Sequence, residues 1–220
     1  MIQKNISSAV IARLPRYFRY LEELKEKGVE RVSSSRLSEM MHVTASQIRQ
    51  DLNQFGGFGQ QGYGYNVVQL HKEIARILDL EREHNLIIIG CGNLGRALAN
   101  YGNFRLRGFH VLALFDVIKD LEGKQIAGAP VYMIDQLKAF LRENKVDIAV
   151  IAIPKQEAVK MVEPLEKAGI KAVWNFSHTD LPFSNDVTVQ NVHLSESLMV
   201  LSYRMKENEI YTECRTDEGL

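Results

Sequence analysis

Cysteine is nearly absent. Cys91 and Cys214 are the only two in 220 residues, which excludes a disulfide framework and a CxxC metal knuckle and fits a reducing compartment. The six histidines (His42, His71, His84, His110, His178 and His193) show no HExxH or other ligand spacing, so no metal site is expected. No apolar run is long enough to cross a bilayer, and the opening MIQKNISSAV lacks the charged start and apolar core of a secretory signal. The expected location is the cytoplasm. Net charge is absent too, with 27 Lys and Arg against 27 Asp and Glu. That balance hides an asymmetry: residues 1–80 carry 11 basic side chains against 8 acidic ones, and residues 81–220 carry 16 against 19. Lys4, Arg13, Arg16 and Arg19 meet no acid in the first twenty residues. Such a face needs a motif before it means more than solvation.

What is present is enough for a real core. Hydrophobic residues make up 45% of the chain, and a chain of this length buries roughly 70% of its unfolded surface on folding. From Ser8, Ile11, Leu14, Phe18, Leu21 and Leu24 recur at helical spacing and Gly28 is a stop, with Pro15 either starting or kinking the helix. RLSEMMHV follows as a short helix capped by Ser34 or Ser35. Thr44 and Gln47 match a capping box ahead of a third helix, with Ile48, Leu52 and Phe55 on one face. Its other face carries Ser46, Gln47, Arg49, Gln50 and Asn53, side chains able to bond base edges in a major groove. GGFGQQGYGYNV then reads as a glycine-rich hairpin. Three helices and such a hairpin describe a winged helix-turn-helix, against the plainer reading of a helical cap or dimerisation domain. Residues 67–84 read as an amphipathic connecting helix.

From Asn85 onward strands alternate with helices, as in a mostly parallel α/β sheet. NLIIIG, HVLALFD, a short PVYM, DIAVIAIP and KAVWNFS are the strands, with VTVQNV at an edge. Between them lie the helical RALANYGNF, IDQLKAFLREN and KQEAVKMVEPLEKAG. SESLMVLSYRMKEN closes as a helix, and ECRTDEGL reads as a frayed acidic tail. The expected division is a winged-helix domain over 1–80, a Rossmann-type domain over 81–194, a helix over 195–208 and a tail over 209–220.

GCGNLG, residues 90–95, sits between a predicted strand and a predicted helix, the context a dinucleotide fingerprint requires. Gly90 permits the tight turn, Gly92 lets the backbone approach a pyrophosphate, and Gly95 lets helix and strand pack closely, with Cys91, Asn93 and Leu94 completing the loop. The phosphates would rest on N–H groups at the helix start. Asp116, twenty-one positions after Gly95, stands where an acid accepts from the adenosine ribose and repels a 2′-phosphate, which points to NAD(H). Hydride transfer to a substrate needs a pocket and an acid or base. About forty residues remain after the α/β unit, and His178, Asp180 and His193 are its only candidate proton handlers. A bound and sensed nucleotide fits better than a reacting one. A small NAD-dependent oxidoreductase and a CoA-binding Rossmann protein remain the alternatives.

RLPRYFRYL (13–21), RVSSSRLSE (31–39), IRQDLNQFGGFGQQGYGYNV (48–67), IIGCGNLG (88–95), FD (115–116), AIP (152–154) and NFS (175–177) together resemble the Rex family of redox-sensing transcriptional repressors. The resemblance implies a homodimer that binds a palindromic operator when NAD+ prevails and releases it when NADH binds, with the helix from about Ser195 to Asn208 exchanged between subunits. It places Ile153, Pro154, Asn175 and Phe176 toward the nicotinamide, and Arg13, Gln60, Gln61 and Tyr63 with the third helix at DNA. Tyr101, Arg16, His193 and Leu194 become switch and dimer residues. Two positions depart from the family pattern. Gln60 and Gln61 stand where members often carry basic wing residues, and His193 where an acid often begins the last helix.

Overall fold

The computed structural model describes residues 6–55, 59–60 and 63–217, and for 59–60 and 209–217 the backbone alone. The chain divides into two units, Met1–Arg82 and Glu83–Leu220.

The first unit runs α1 (Ser8–Glu26), β1 (Arg31–Val32), α2 (Ser34–Met41), α3 (Ala45–Asn53), β2 (Gly59–Gln60), β3 (Gly64–Asn66) and α4 (Val67–Ile77). α1 begins under Ser7, whose hydroxyl accepts from Val10 N–H, and continues through Pro15, which lies on its exposed side. A helix-interior proline costs about 3 kcal/mol; Leu14, Tyr17, Phe18, Leu21 and Leu24, all buried from the same helix, offset it. They pack with Leu37, Met41, Ile48, Leu52, Leu70 and Ile74 into one core. α2 is capped by Ser33, whose Oγ accepts from Arg36 N–H at 3.0 Å, so the cap lies one residue before the serines expected to supply it. Thr44 caps α3 by accepting from Gln47 N–H at 3.1 Å. The capping box is half made, because the Gln47 side chain turns to Asp51 instead. β1, β3 and β2 form a small antiparallel sheet. The connecting helix expected to reach residue 84 stops at Ile77, and Asp79 takes a left-handed φ of 56° just beyond.

The second unit is α/β. Its sheet has the order β10-β9-β8-β4-β5-β7-β6, built from β4 (His84–Ile89), β5 (Phe109–Asp116), β6 (Gln125–Ile126), β7 (Ala129–Met133), β8 (Ile148–Ile151), β9 (Ala172–Asn175) and β10 (Thr188–Asn191). Every neighbouring pair is parallel except β6 with β7. The connecting helices are α5 (Asn93–Ala99), α6 (Asn103–Leu106), α7 (Leu137–Glu143), α8 (Lys155–Lys160) and α9 (Val162–Lys167). The single helix expected over 155–169 is thus two, parted at Met161. Ile87, Ile89, Phe115, Ala149, Ile151 and Val173 fill the core on one face of the sheet, and Leu86, Ile88, Leu114 and Val150 on the other. A strand buried on both faces must be apolar throughout, which is why LIII and IAVI run without alternation.

The last described element is α10 (Leu194–Asp217), which continues through most of the stretch expected to fray. Leu194, Leu198, Met199, Val200, Leu201, Tyr203 and Met205 are all exposed on it. Among the described residues no helix is long and apolar enough to cross a membrane.

Candidate nucleotide and nucleic-acid sites

β4 lies between β5 on one side and β8 on the other, so strand order reverses at its end, and open parallel sheets bind ligands in the crevice at such a switch point. GCGNLG begins there. Gly90 has φ +108°, and a Cβ on it would lie 2.5 Å from the Ala152 carbonyl oxygen at the end of β8. A Cβ on Gly95 would lie 1.8 Å from the Gly90 carbonyl oxygen, so the first turn of α5 seats directly on the loop. Gly92 differs: its Cβ direction is open for 4 Å. The first and third glycines are consumed by the fold, and the second faces free space that a ligand's phosphates could occupy.

The loop is fastened from two sides. Asp116, ending β5, accepts from Cys91 N–H through Oδ2 at 2.5 Å and from Val117 and Ile118 N–H through Oδ1 at 2.8 and 3.0 Å. Arg96 Nε donates to the Cys91 carbonyl at 2.7 Å, a clamp the motif alone did not announce. Burial, and then the adjacent Asp116 charge, push the Cys91 thiol up to about 11, so it stands here as a neutral packed group.

Ile153 and Pro154 follow β8 and lead into α8, while Phe176 follows β9. Asn175, expected beside the nicotinamide, is 0% exposed, and its amide is spent internally. Nδ2 donates to the Thr179 carbonyl at 2.7 Å and to Asn191 Oδ1 at 2.8 Å, and Oδ1 accepts from Ser177 N–H and Oγ–H. Asn191 in turn donates to Asp180 at 2.7 Å, and His193 Nε2 lies 3.7 Å from the same Asp180 oxygen. A polar chain therefore runs from the loop after β9 to the residue before α10. It includes Ser177, bonded locally to Asn175, and Asn191, which sequence reading missed because its place opposite Asn175 arises only from the parallel pairing of β9 with β10. Beyond α5 Tyr101 is exposed, edge-on to Phe104, which meets Trp174 at 5.6 Å; Trp174 lies 4.6 Å from Phe176. Leu194 is exposed at the head of α10.

In the first unit α3 turns Ser46, Arg49, Gln50 and Asn53 to solvent. Arg49 is steadied by donating to Ser34 Oγ at 2.9 Å. Gln47 and Arg13, both expected at DNA, are engaged inside the unit by Asp51, a carboxylate sequence reading passed over. Asp51 is 0% exposed and also accepts from the Tyr17 hydroxyl at 2.9 Å. Burial pushes the Asp51 carboxyl up, but the bonds from Arg13, Gln47 and Tyr17 outweigh it and hold the group below the usual carboxylate range. The signal was present: Asp51 follows Ile48 by three residues and so falls on the apolar face, where an acid must find donors. Arg16 donates to the Met41 carbonyl at the end of α2. Tyr63 is exposed under the Arg31 guanidinium, 5.8 Å from its ring centre, which adds a cation beside the hairpin. Of the two expected wing glutamines, Gln60 is a backbone position in β2 and Gln61 lies outside the described residues. No group of three or more His, Cys, Asp or Glu side chains able to hold a metal occurs among the described residues.

Comparison with known proteins joins these halves. Residues 5–53 match a family model described as putative DNA-binding protein N-terminus, and residues 81–179 one described as CoA binding domain. The chain is 52% identical over 210 residues, covering 96% of it and 94% of the relative, to a redox-sensing transcriptional repressor Rex of Thermoanaerobacter sp. (strain X514). It is 53% identical over 206 residues to the repressor of the same name from Clostridioides difficile (strain 630), covering 94% and 98%. The solved structure of RSP in complex with β-NAD+ and operator DNA matches with a TM-score of 0.88 at 50% identity, covering 96% of this chain and 98% of that one. RSP in complex with β-NADH matches with a TM-score of 0.88 at 48% identity, covering 96% and 99%. The chain belongs to the Rex family of redox-sensing transcriptional repressors.

Proposed function

We propose that this protein is a repressor that reads the NADH/NAD+ ratio, holding operator DNA when NADH is low and releasing it when NADH binds. The observation that carries the reading is kinship over nearly the full chain with RSP, solved both with β-NAD+ and operator DNA and with β-NADH. Gly92 leaves room for the pyrophosphate beside the loop, and Asp116, ending β5 beside that loop, accepts from the ribose hydroxyls and repels a 2′-phosphate. NADH differs from NAD+ in carrying a hydride on a neutral ring. Ile153, Pro154 and Phe176 offer an apolar surround that favours that neutral ring over the cation. Asn175 acts by holding the loop that carries Phe176. On α3, Arg49, Gln50, Ser46 and Asn53 reach base edges and phosphates, with Tyr63 and Arg31 beside the hairpin.

The operator reader is a homodimer. α10 exposes seven large apolar side chains, and an apolar groove of about 320 Å³ lined by Leu86, Phe104, Phe109, Ile148 and Trp174 lies open on the same unit. A stripe and a groove of this kind are each covered by a second copy, with α10 exchanged. Arg16, Tyr101, His193 and Leu194 take part in the switch between copies. A shift from mostly bound to mostly free requires NADH to favour the released state by about 5 kcal/mol. In this reading 1–80 is the DNA-reading unit, 81–194 the nucleotide unit and 195–208 the dimerising part of the last helix.

The match of residues 81–179 to a CoA-binding model keeps a second ligand in view. Titrating NADH, NAD+ and CoA into a complex of the protein with palindromic DNA separates the readings. Release by NADH alone, with NADH unconsumed, is the expected result; release by CoA, or steady oxidation of NADH, overturns it.

A further inference from the structure

Asp51 takes four hydrogen bonds from three side chains while wholly shielded from water. Arg13 grips it with Nε at 2.7 Å and Nη2 at 2.8 Å, Tyr17 with its hydroxyl at 2.9 Å and Gln47 with Nε2 at 2.8 Å. The donors come from two helices: Arg13 and Tyr17 are one turn apart on α1, and Gln47 is one turn before Asp51 on α3. A planar guanidinium bonded at two points has its orientation set by the carboxylate. Arg13 is nevertheless not sealed in, since 28% of its side chain is exposed. Gln47 is half-buried, with its donor end committed inward. That commitment leaves the opposite branch of the amide, the acceptor Oε1, for a base amino group, which cytosine N4 and adenine N6 supply in the major groove.

We propose that Asp51 is a positioning residue that sets which bases α3 reads, by fixing the Gln47 amide and the Arg13 guanidinium in one presentation. The inference rests on the operator-binding reading above. A carboxylate serving stability alone would need only to hold α1 on α3; this one also orients the two side chains of its cluster that the family resemblance sends to DNA.

The test uses the full chain and a pool of palindromic duplexes randomised at the half-site positions. Gln47→Ala identifies the base pairs that Gln47 reads. Asp51→Asn, checked for folding by circular dichroism and for NADH binding by energy transfer from Trp174, the chain's one tryptophan, is expected to lose about tenfold discrimination at those same base pairs. Tyr17→Phe, which removes one donor only, is expected to shift them in the same direction by less. An unchanged base profile in Asp51→Asn, or equal weakening on every duplex, overturns the proposal. If Asp51→Asn does not fold, Tyr17→Phe decides it, and an unchanged profile there is fatal. Should the parent chain select no duplex at all, the repressor reading falls together with this inference; selection by the parent with an unchanged variant profile removes the inference alone.

Discussion

Asp51 and Asp116 are both carboxylates that close on donors of their own chain, one in each unit, yet they act on different materials. Asp51 gathers side chains from two helices at a point sealed from water. Asp116 gathers backbone N–H groups at the open end of a strand. The helical unit therefore builds its working face out of side chains laid over an independent core, and a substitution there alters what is read before it alters the fold. The sheet unit builds its cradle out of main chain, where site and fold are the same atoms. Substitutions in the cradle should cost both at once.

The sharpest break of this contrast is Gly95→Ala. Its Cβ would fall 1.8 Å from the Gly90 carbonyl oxygen, a backbone atom that has no rotamer to yield. Destabilisation on the order of 3 kcal/mol and loss of NADH-quenched Trp174 emission are expected, read by thermal melting and fluorescence. Near-parental NADH binding would show that the loop tolerates displacement and that cradle and fold are separable. Asp116→Ala comes next. It removes three charge-assisted bonds from the loop, and about 2 kcal/mol of NADH affinity should go with them. Exclusion of NADPH should relax as well. A variant that still prefers NADH over NADPH to the parental degree would take Asp116 out of the ribose site, leaving it a loop fastener.

The same contrast explains what the sequence could disclose. Main-chain sites are written locally: GCGNLG after LIII, and the acid closing HVLALFD, lie within contiguous stretches whose period and spacing carry the geometry. Helices α1 and α3 were legible from the same local periodicity. Side-chain sites are written across distance. Arg13 and Tyr17 lie 38 and 34 positions from Asp51, and Asn175 lies 16 from Asn191, so neither cluster exists until the helices pack and the strands pair. That is why the sequence, which places Arg13 and Gln47 at DNA and Asn175 beside the nicotinamide, does not disclose that each is also engaged within its own unit. The helix does not start at Pro15 for the converse reason, since a local rule was outweighed by the burial of the rest of its helix.

On the side-chain half of the contrast, Arg49→Ala should leave folding and NADH binding alone while changing what DNA is bound. Arg49 is exposed and held by one bond to Ser34, so its removal opens no cavity. If it meets a guanine edge, discrimination at one base pair should drop by about 1–3 kcal/mol; if it meets phosphate, affinity should fall evenly across sequences with a flatter salt dependence. Competition binding on operator variants at two salt concentrations distinguishes these, and no change in either would place α3 off the DNA.

The smallest expected effect concerns the position where the two kinds of site meet. His193 stands between β10 and α10, its backbone carbonyl accepting from Glu196 N–H and its imidazole facing Asp180 at 3.7 Å. Asp180 also receives Asn191, which receives Asn175, so an imidazole here can pass the arrangement of the loop after β9 to the start of the last helix. The outer part of this chain is weak, because the Asp180 side chain is 85% exposed and a polar contact so hydrated contributes about 0.2–1 kcal/mol. His193→Ala should therefore leave NADH affinity unchanged and shift the NADH concentration that half-releases operator by only a few-fold, since 1 kcal/mol of coupling is about a factor of 5. Asn191→Ala, which cuts the chain where it is less exposed, should shift that midpoint further. An unmoved midpoint in both variants would mean that the polar chain only anchors the β10 edge and that the signal to α10 travels by the aromatic contacts from Phe176 through Trp174 and Phe104 to Tyr101.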